Sequence, residues 1–247
     1  MLKEYFEKLY TGSREEFFAL ADGAMDREQR LFVVTANPEV MMTAQADPAL
    51  DAALCSPAAT IVPDGIGVVK AARGLGLQVA GRVPGVELAW ALICHAGRTG
   101  KRIYLYGAQE EVLQALLARI AREAPDALVV GAKNGYDHED DAVFAEILTL
   151  QPDLILAALG VPRQELLIAR WLDRFDKGVF VGVGGSFDVL SGSKQRAPEL
   201  FLKLNLEWLY RIAREPKRLG RFARSNLRFL GKIRQIGELE RCKGETT

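Results

Sequence analysis

Three polar clusters stand where apolar runs of this 247-residue chain stop: Thr35-Ala36-Asn37, Pro63-Asp64-Gly65 and Gly160-Val161-Pro162-Arg163-Gln164-Glu165. Asp64 is the residue best suited to acid–base work. A carboxylate in a partly desolvated crevice holds a proton more tightly than one in water, and so can take one from a hydroxyl. Between Pro63 and Gly65 the same residue type also serves as a helix cap or turn residue. Thr35 and Asn37 supply a hydroxyl and an amide that can meet sugar hydroxyls or phosphate oxygens. Asn37 could equally cap the helix that Pro38 opens. Gln164 and Glu165 follow a tight turn feeding a helix, whose N-terminus could hold an anion or simply be capped.

A fourth cluster, Gly182-Val183-Gly184-Gly185-Ser186-Phe187-Asp188, would let backbone amides approach a phosphate or ribose closely. It is neither G-x-G-x-x-G nor G-x-x-x-x-G-K-[ST], so the dinucleotide and P-loop fingerprints are missing, and a nicotinamide-dependent oxidoreductase is disfavoured. The two histidines, His95 and His138, lie far apart without Cys or carboxylate at metal spacing and read as ordinary helix and loop residues. No Asp-x-Asp tripeptide occurs. Asp137-His138-Glu139-Asp140-Asp141 reads as a solvated helix start rather than a cation site. No Ser or Cys nucleophile with an adjacent base stands out. The expectation is acid–base chemistry on a polar, phosphorylated small molecule, with no metal and no cofactor.

The elements that must position these residues follow from periodicity. Strands are expected at 31–34, 59–62, 102–106, 127–130, 154–159 and 178–183. Helices are expected from Pro38, through 71–73 to a stop at Gly74, and over 85–96, 109–123 and 139–150. Strands alternating with helices of about 10–15 residues predict an α/β fold, a Rossmann-like parallel sheet flanked by helices. In such sheets ligands bind at the carboxyl ends of the strands, where all four clusters fall.

Composition is that of an ordinary globular protein, 49% hydrophobic and 26% charged. No apolar run reaches the length of a membrane span, and the N-terminus has no signal-peptide core. Cys55, Cys94 and Cys242 read as reduced thiols of a cytoplasmic protein. The net charge of zero conceals an asymmetry. Residues 194–247 carry 14 Lys/Arg against 6 Asp/Glu, a surplus of +8, which leaves −8 on the preceding 193. Two domains are therefore expected: a catalytic α/β body over 1–193, and over 194–247 a basic amphipathic helical appendage broken at Glu215-Pro216. Arg211, Arg214, Arg218, Arg221, Arg224, Arg228 and Lys232 recur on one helical face, with Leu219, Phe222, Leu230 and Ile233 roughly opposite. Such a helix suits an anionic membrane surface. Nucleic acid is disfavoured, because no aromatic stacking platform accompanies the arginines. An apolar stretch around Phe201, Leu204 and Trp208 could pack between subunits of a homo-oligomer.

The segments TANPEVMMTAQ (35–45), PDGIGVV (63–69), GRVPGVEL (81–88), YLYGA (104–108), PDLILAALGVPRQE (152–165), GVGGSFDVLSG (182–192), QRAP (195–198) and LEWLYRIAREPKRLGRF (206–222) closely resemble the WecG/TagA/CpsF family of bacterial glycosyltransferases, in order over nearly the whole chain. The resemblance implies a metal-independent, inverting enzyme peripheral to the cytoplasmic membrane face. Its donor would be a UDP-sugar and its acceptor an undecaprenyl-diphosphate-linked sugar. It makes Asp64 the base, and puts Thr35, Asn37, Arg82 and Gln164 in the substrate pocket. Asp188, with Gly184 and Gly185 before it, matches the nucleotide region. Arg211, Arg218 and Arg221 match an appendage thought to close over the site and touch the membrane. Among donors, N-acetylmannosamine for teichoic-acid linkage units is favoured over its uronic acid or a hexose for other surface glycans. A non-catalytic, UDP-binding membrane regulator is the alternative of a different class.

Overall fold

Apolar residues on both faces of six short runs can be buried only if helices cover both sides of the sheet that those runs form. The computed structural model, which describes residues 2–198, 201, 209–210 and 219–244, has that arrangement. Six strands, β1 (Arg30–Ala36), β2 (Ala59–Pro63), β3 (Arg102–Gly107), β4 (Leu128–Lys133), β5 (Leu154–Ala158) and β6 (Gly178–Gly182), form one sheet in the order β2-β1-β6-β5-β3-β4. All neighbours run parallel. Alternate residues of each strand enter two separate cores: Phe32, Val34, Tyr104, Ile155 and Phe180 face one, and Val33, Ile103, Leu154 and Val181 the other.

The first core is closed by α3 (Pro38–Ala44), α4 (Pro48–Cys55), α5 (Ile66–Gly74), α8 (Asp140–Leu150) and α9 (Arg163–Trp171). The second is closed by α2 (Arg14–Asp26), α6 (Gly85–Thr99), α7 (Glu110–Glu123) and the short α10 (Ser186–Leu190). A short N-terminal helix, α1 (Leu2–Glu7), adds Tyr5 and Phe6 to the first core. The expected strands and helices are all present, with most ends moved by one to three residues. Strand β4 runs past the expected end at Val130 because Gly131 continues it. The ring of Tyr104 lies so close that a Cβ there would sit 2.3 Å from it, so this glycine permits an approach rather than ending an element.

The C-terminal helix, α11 (Leu219–Gly244), packs on α3 and α5. Its anchor is Phe229, 1% exposed, whose ring centre lies 6.3 Å from that of Phe6; Ile233 and Ile236 pack beside it. This corrects the expected apolar face. Leu219 and Leu230 are exposed, and the buried stripe is rotated toward Phe229 and Ile236. Arg224, Arg228 and Lys232 are exposed as the periodicity requires. Arg211, Arg214, Arg218, the break at Glu215-Pro216, Leu204 and Trp208 lie outside the described residues, as do the side chains of Arg221 and Phe222.

Candidate active site

The helix that follows β1 covers one face of the sheet, and the helix that follows β6 covers the other. The helix after β5 returns to the first face. Chain ends therefore part on both sides of β6, and crevices open at the carboxyl ends of the β1/β6 and β6/β5 pairs. Three of the polar clusters follow β1, β5 and β6, and Pro63-Asp64-Gly65 ends β2, the neighbour of β1 at the sheet edge.

Thr35, the penultimate residue of β1, is buried and donates its hydroxyl to the carbonyl of Gly182 across the first crevice, 2.7 Å. Its methyl lies against the start of α6, where a Cβ on Gly85 would come within 3.2 Å of Thr35 Cγ2. Asp64 follows β2. Its backbone N–H donates to the carbonyl of Ala36, 2.9 Å, while its Oδ1 accepts the N–H of Gly85, 2.9 Å, across 21 residues of sequence. The cap expected of this residue type thus exists, but on a distant helix; α5, directly after it, has Gly65 at its N-cap and no side-chain cap. A carboxylate at the N-terminus of the 15-residue α6 also meets the positive end of its dipole. Asn37 is the N-cap of α3, its Oδ1 accepting from the N–H groups of Glu39 (2.8 Å) and Val40 (3.1 Å). Gly65 permits this crowding, since a Cβ there would lie 3.3 Å from that of Asn37. Asp64, Thr35, Asn37 and the first turn of α6 therefore form one interlocked group at adjacent strand ends.

Gln164 spans the second crevice. It is 2% exposed, and its Oε1 accepts from Gly160 N and Gly184 N, 3.1 Å each, while Nε2 donates to Glu165 Oε1, 2.7 Å. Both ends of its amide are engaged within the protein, so it clasps the two loops rather than presenting an open amide. Glu165 is fully buried, and burial pushes its carboxyl up to about 7 against the opposing hydrogen bonds from Gln164 and the backbone. Gly184 has φ +49°, a left-handed conformation that suits glycine, and Gly185 is exposed at the start of α10. Asp188, on α10, pairs with Lys194 at 3.3 Å.

Arg82 lines a cavity of about 400 Å3 with Arg14, Gly81, Pro84 and Glu87. Glu87, in the first turn of α6, accepts from Arg14 at 2.5 Å and from Arg196. Burial raises its carboxyl, yet these two guanidinium groups hold it below the usual carboxylate range. It ties the body to the segment that leads into the appendage. Sequence reasoning overlooked Gly85 and Glu87, although both sit inside a quoted motif, and it named Glu165 without foreseeing its burial.

The acidic run before α8 is more than a solvated helix start. Asp140 accepts from Arg163 Nε (2.9 Å), Arg163 Nη2 (2.6 Å) and the hydroxyl of Tyr106 (2.6 Å). The Arg163 bonds chiefly hold its carboxyl below the ordinary range. Asp141 accepts from Arg170 and from Trp171 Nε1. Both carboxylates fasten α8 to α9. His95 lies in α6 as expected, but α2 brings it two carboxylates, Asp26 (2.8 Å) and Asp22 (3.4 Å), that local spacing could not reveal. Cys55 and Cys94 are free thiols. Among the described residues, no helix is long and apolar enough to cross a membrane.

A parallel α/β sheet with a carboxylate, polar side chains and glycine turns at its strand ends is the arrangement of an enzyme acting on a polar small molecule. Comparison with known proteins makes this specific. The model of the glycosyl transferase WecG/TagA/CpsF family matches residues 8–241, and the chain belongs to that family. It is similar to the N-acetylglucosaminyldiphosphoundecaprenol N-acetyl-beta-D-mannosaminyltransferases of Bacillus spizizenii, 38% identical over 80% of this chain and 76% of the relative, and of Bacillus subtilis, 36% identical over 80% and 77%. The protein of the same name from Staphylococcus aureus strain MW2 is 39% identical over 77% of this chain and 75% of its own length.

Proposed function

We propose that this protein transfers N-acetylmannosamine from UDP-N-acetylmannosamine to undecaprenyl-diphosphate-linked N-acetylglucosamine, with inversion, in assembly of the teichoic-acid linkage unit. The names of its relatives support the substrates, and the setting of Asp64 supports the chemistry. The Gly85 N–H holds Oδ1 in place, and the Asp64 carboxylate takes the proton from the acceptor hydroxyl. The acceptor oxygen attacks the anomeric carbon as the bond to the diphosphate breaks, and UDP leaves from the opposite face with the bonding electron pair. The growing charge on the diphosphate is met without a metal, by the Gly185 amide, by Arg82, and by Arg211, Arg218 and Arg221 of the appendage. Thr35 and Asn37 line the sugar subsite, Gln164 sets its wall, and Asp188 lies toward the ribose. The enzyme works at the cytoplasmic membrane face, held there by the exposed basic and apolar side of α11.

The observation that carries this reading is the placement of Asp64 among the ends of β1 and β2 and the start of α6. Asp64→Asn keeps an acceptor for the Gly85 N–H and so should fold and bind UDP as the wild type does. Turnover should fall by about 10²–10⁴-fold, the usual worth of acid–base help. Release of UDP from UDP-N-acetylmannosamine, its uronic acid and UDP-hexoses, with a lipid-diphosphate-N-acetylglucosamine analogue, measures both claims. Wild-type turnover by the Asn variant would reject the base, and preference for another donor would reject the sugar.

A further inference from the structure

A buried carboxyl is an expensive way to fill space, and Glu165 fills it beside the one side chain that bridges the β6/β5 crevice. The geometry around Gln164 gives that carboxyl a purpose. A glutamine amide can sit either way round in a slot of this shape, and the two ways have opposite hydrogen-bonding character. The Gly160 and Gly184 N–H groups both require an acceptor, which only Oε1 supplies, and Oε1 lies 3.1 Å from each. Glu165 Oε1 lies 2.7 Å from Nε2 and accepts from it. The reversed amide would set its NH2 against two donors and give up that bond. Glu165 therefore adds its hold to the orientation that the two turns need. The slot is tight: a Cβ on Gly182 would lie 2.7 Å from Gln164 Nε2, so the amide cannot escape its choice by moving aside. Gly160 and Gly184 both have positive φ, +80° and +49°, so each turn is held in a conformation that an untethered chain would readily leave.

We propose that Glu165 is a positioning residue for sugar-nucleotide binding: it fixes the Gln164 amide, which clasps the Gly160 and Gly184 turns and so sets the width of the crevice at the ends of β5 and β6. The inference rests on the reading that the donor occupies this crevice, and it adds a residue that touches no reacting atom. Its signature is selective. Loss of the acceptor at position 165 loosens the Gly184 turn and weakens donor binding, whereas loss of the charge alone does neither.

The test compares Glu165→Leu with Glu165→Gln, which keeps an oxygen acceptor in place. Amide hydrogen exchange of a peptide spanning 182–188, and KM and kcat for UDP-N-acetylmannosamine, are read on the full chain. Glu165→Leu should exchange at Gly184 at least tenfold faster and raise KM about tenfold with kcat changed less than threefold. Glu165→Gln should restore slow exchange and most of the affinity. If Glu165→Leu does not fold, Gln164→Met, which removes the amide and leaves Glu165, should give the same fast exchange, and Gln164→Met/Glu165→Gln should be no worse than Gln164→Met alone. Unchanged exchange in Glu165→Leu or in Gln164→Met overturns the proposal, as does equal damage from Gln and Leu at position 165. Exchange is independent of turnover, so a wild type that releases no UDP would defeat the transferase reading while the Glu165 comparison still gives its answer.

Discussion

The site's carboxyl groups are distinguished by where their partners come from. Asp64 is tied by one oxygen to a helix 21 residues away, an arrangement that holds the side chain still without burying it. Glu165 is buried, and its carboxyl is pushed up to about 7 from 4.5. The folded protein therefore keeps a proton that the unfolded chain releases over that interval. The associated stability is complete below about pH 4.5 and is lost as the pH rises through about 7, at a rate near 1.4 kcal/mol per pH unit. Glu165→Gln cannot titrate, so its urea midpoint should fall less than the wild type's between about pH 5 and pH 7.5. Parallel midpoints would show that this carboxyl is ionised throughout.

At the scale of elements, Asp64, the proposed base, sits among helices that do not themselves carry it. The C-terminal helix rests on α3, whose N-cap is Asn37, and on α5, which starts just after Asp64. Phe229 is the peg of that contact. Truncating a buried phenylalanine to alanine costs about 3–5 kcal/mol where the site cannot collapse, and here the loss falls on the docking of one helix. Phe229→Ala should therefore make residues 219–244 at least tenfold more sensitive to limited proteolysis, while fragments from 2–198 persist. Equal resistance in the two proteins would mean that other contacts hold the helix. The Asp140–Arg163 and Asp141–Arg170 pairs do similar work between α8 and α9.

At the scale of the whole molecule charge is divided unevenly, −8 over residues 1–193 and +8 over 194–247, and the exposed side of α11 carries part of the basic surplus. Leu227 and Leu230 stand out beside Arg224, Arg228 and Lys232. A basic residue near an anionic bilayer contributes about 1 kcal/mol, so replacing these three by glutamine should weaken binding to phosphatidylglycerol vesicles by roughly 10²-fold and leave its salt dependence shallower. Binding that is unchanged, or equally strong to neutral vesicles, would remove membrane charge from the account. Glu87 ties α6 to Arg196, two residues into the basic segment.

Much of this was legible in the chain itself. Alternation of apolar runs with helical periods specifies a parallel α/β fold, because both faces of every strand must be covered. The ends of those runs already hold Thr35, Asn37, Asp64, Gln164 and the Gly182–Asp188 turn, since strand ends are where such sheets bind ligands. Ser13 and Glu16 also spelled a capping box for α2, a local signal that went unread. Only tertiary structure could decide the rest. Whether Asp64 caps its own helix or another, whether the Gln164 amide is open or clasped, which apolar residues of the last helix are buried, and that α2 surrounds His95 with carboxylates all depend on residues distant in sequence. Periodicity reports which way a side chain faces; only the packed fold supplies what it faces.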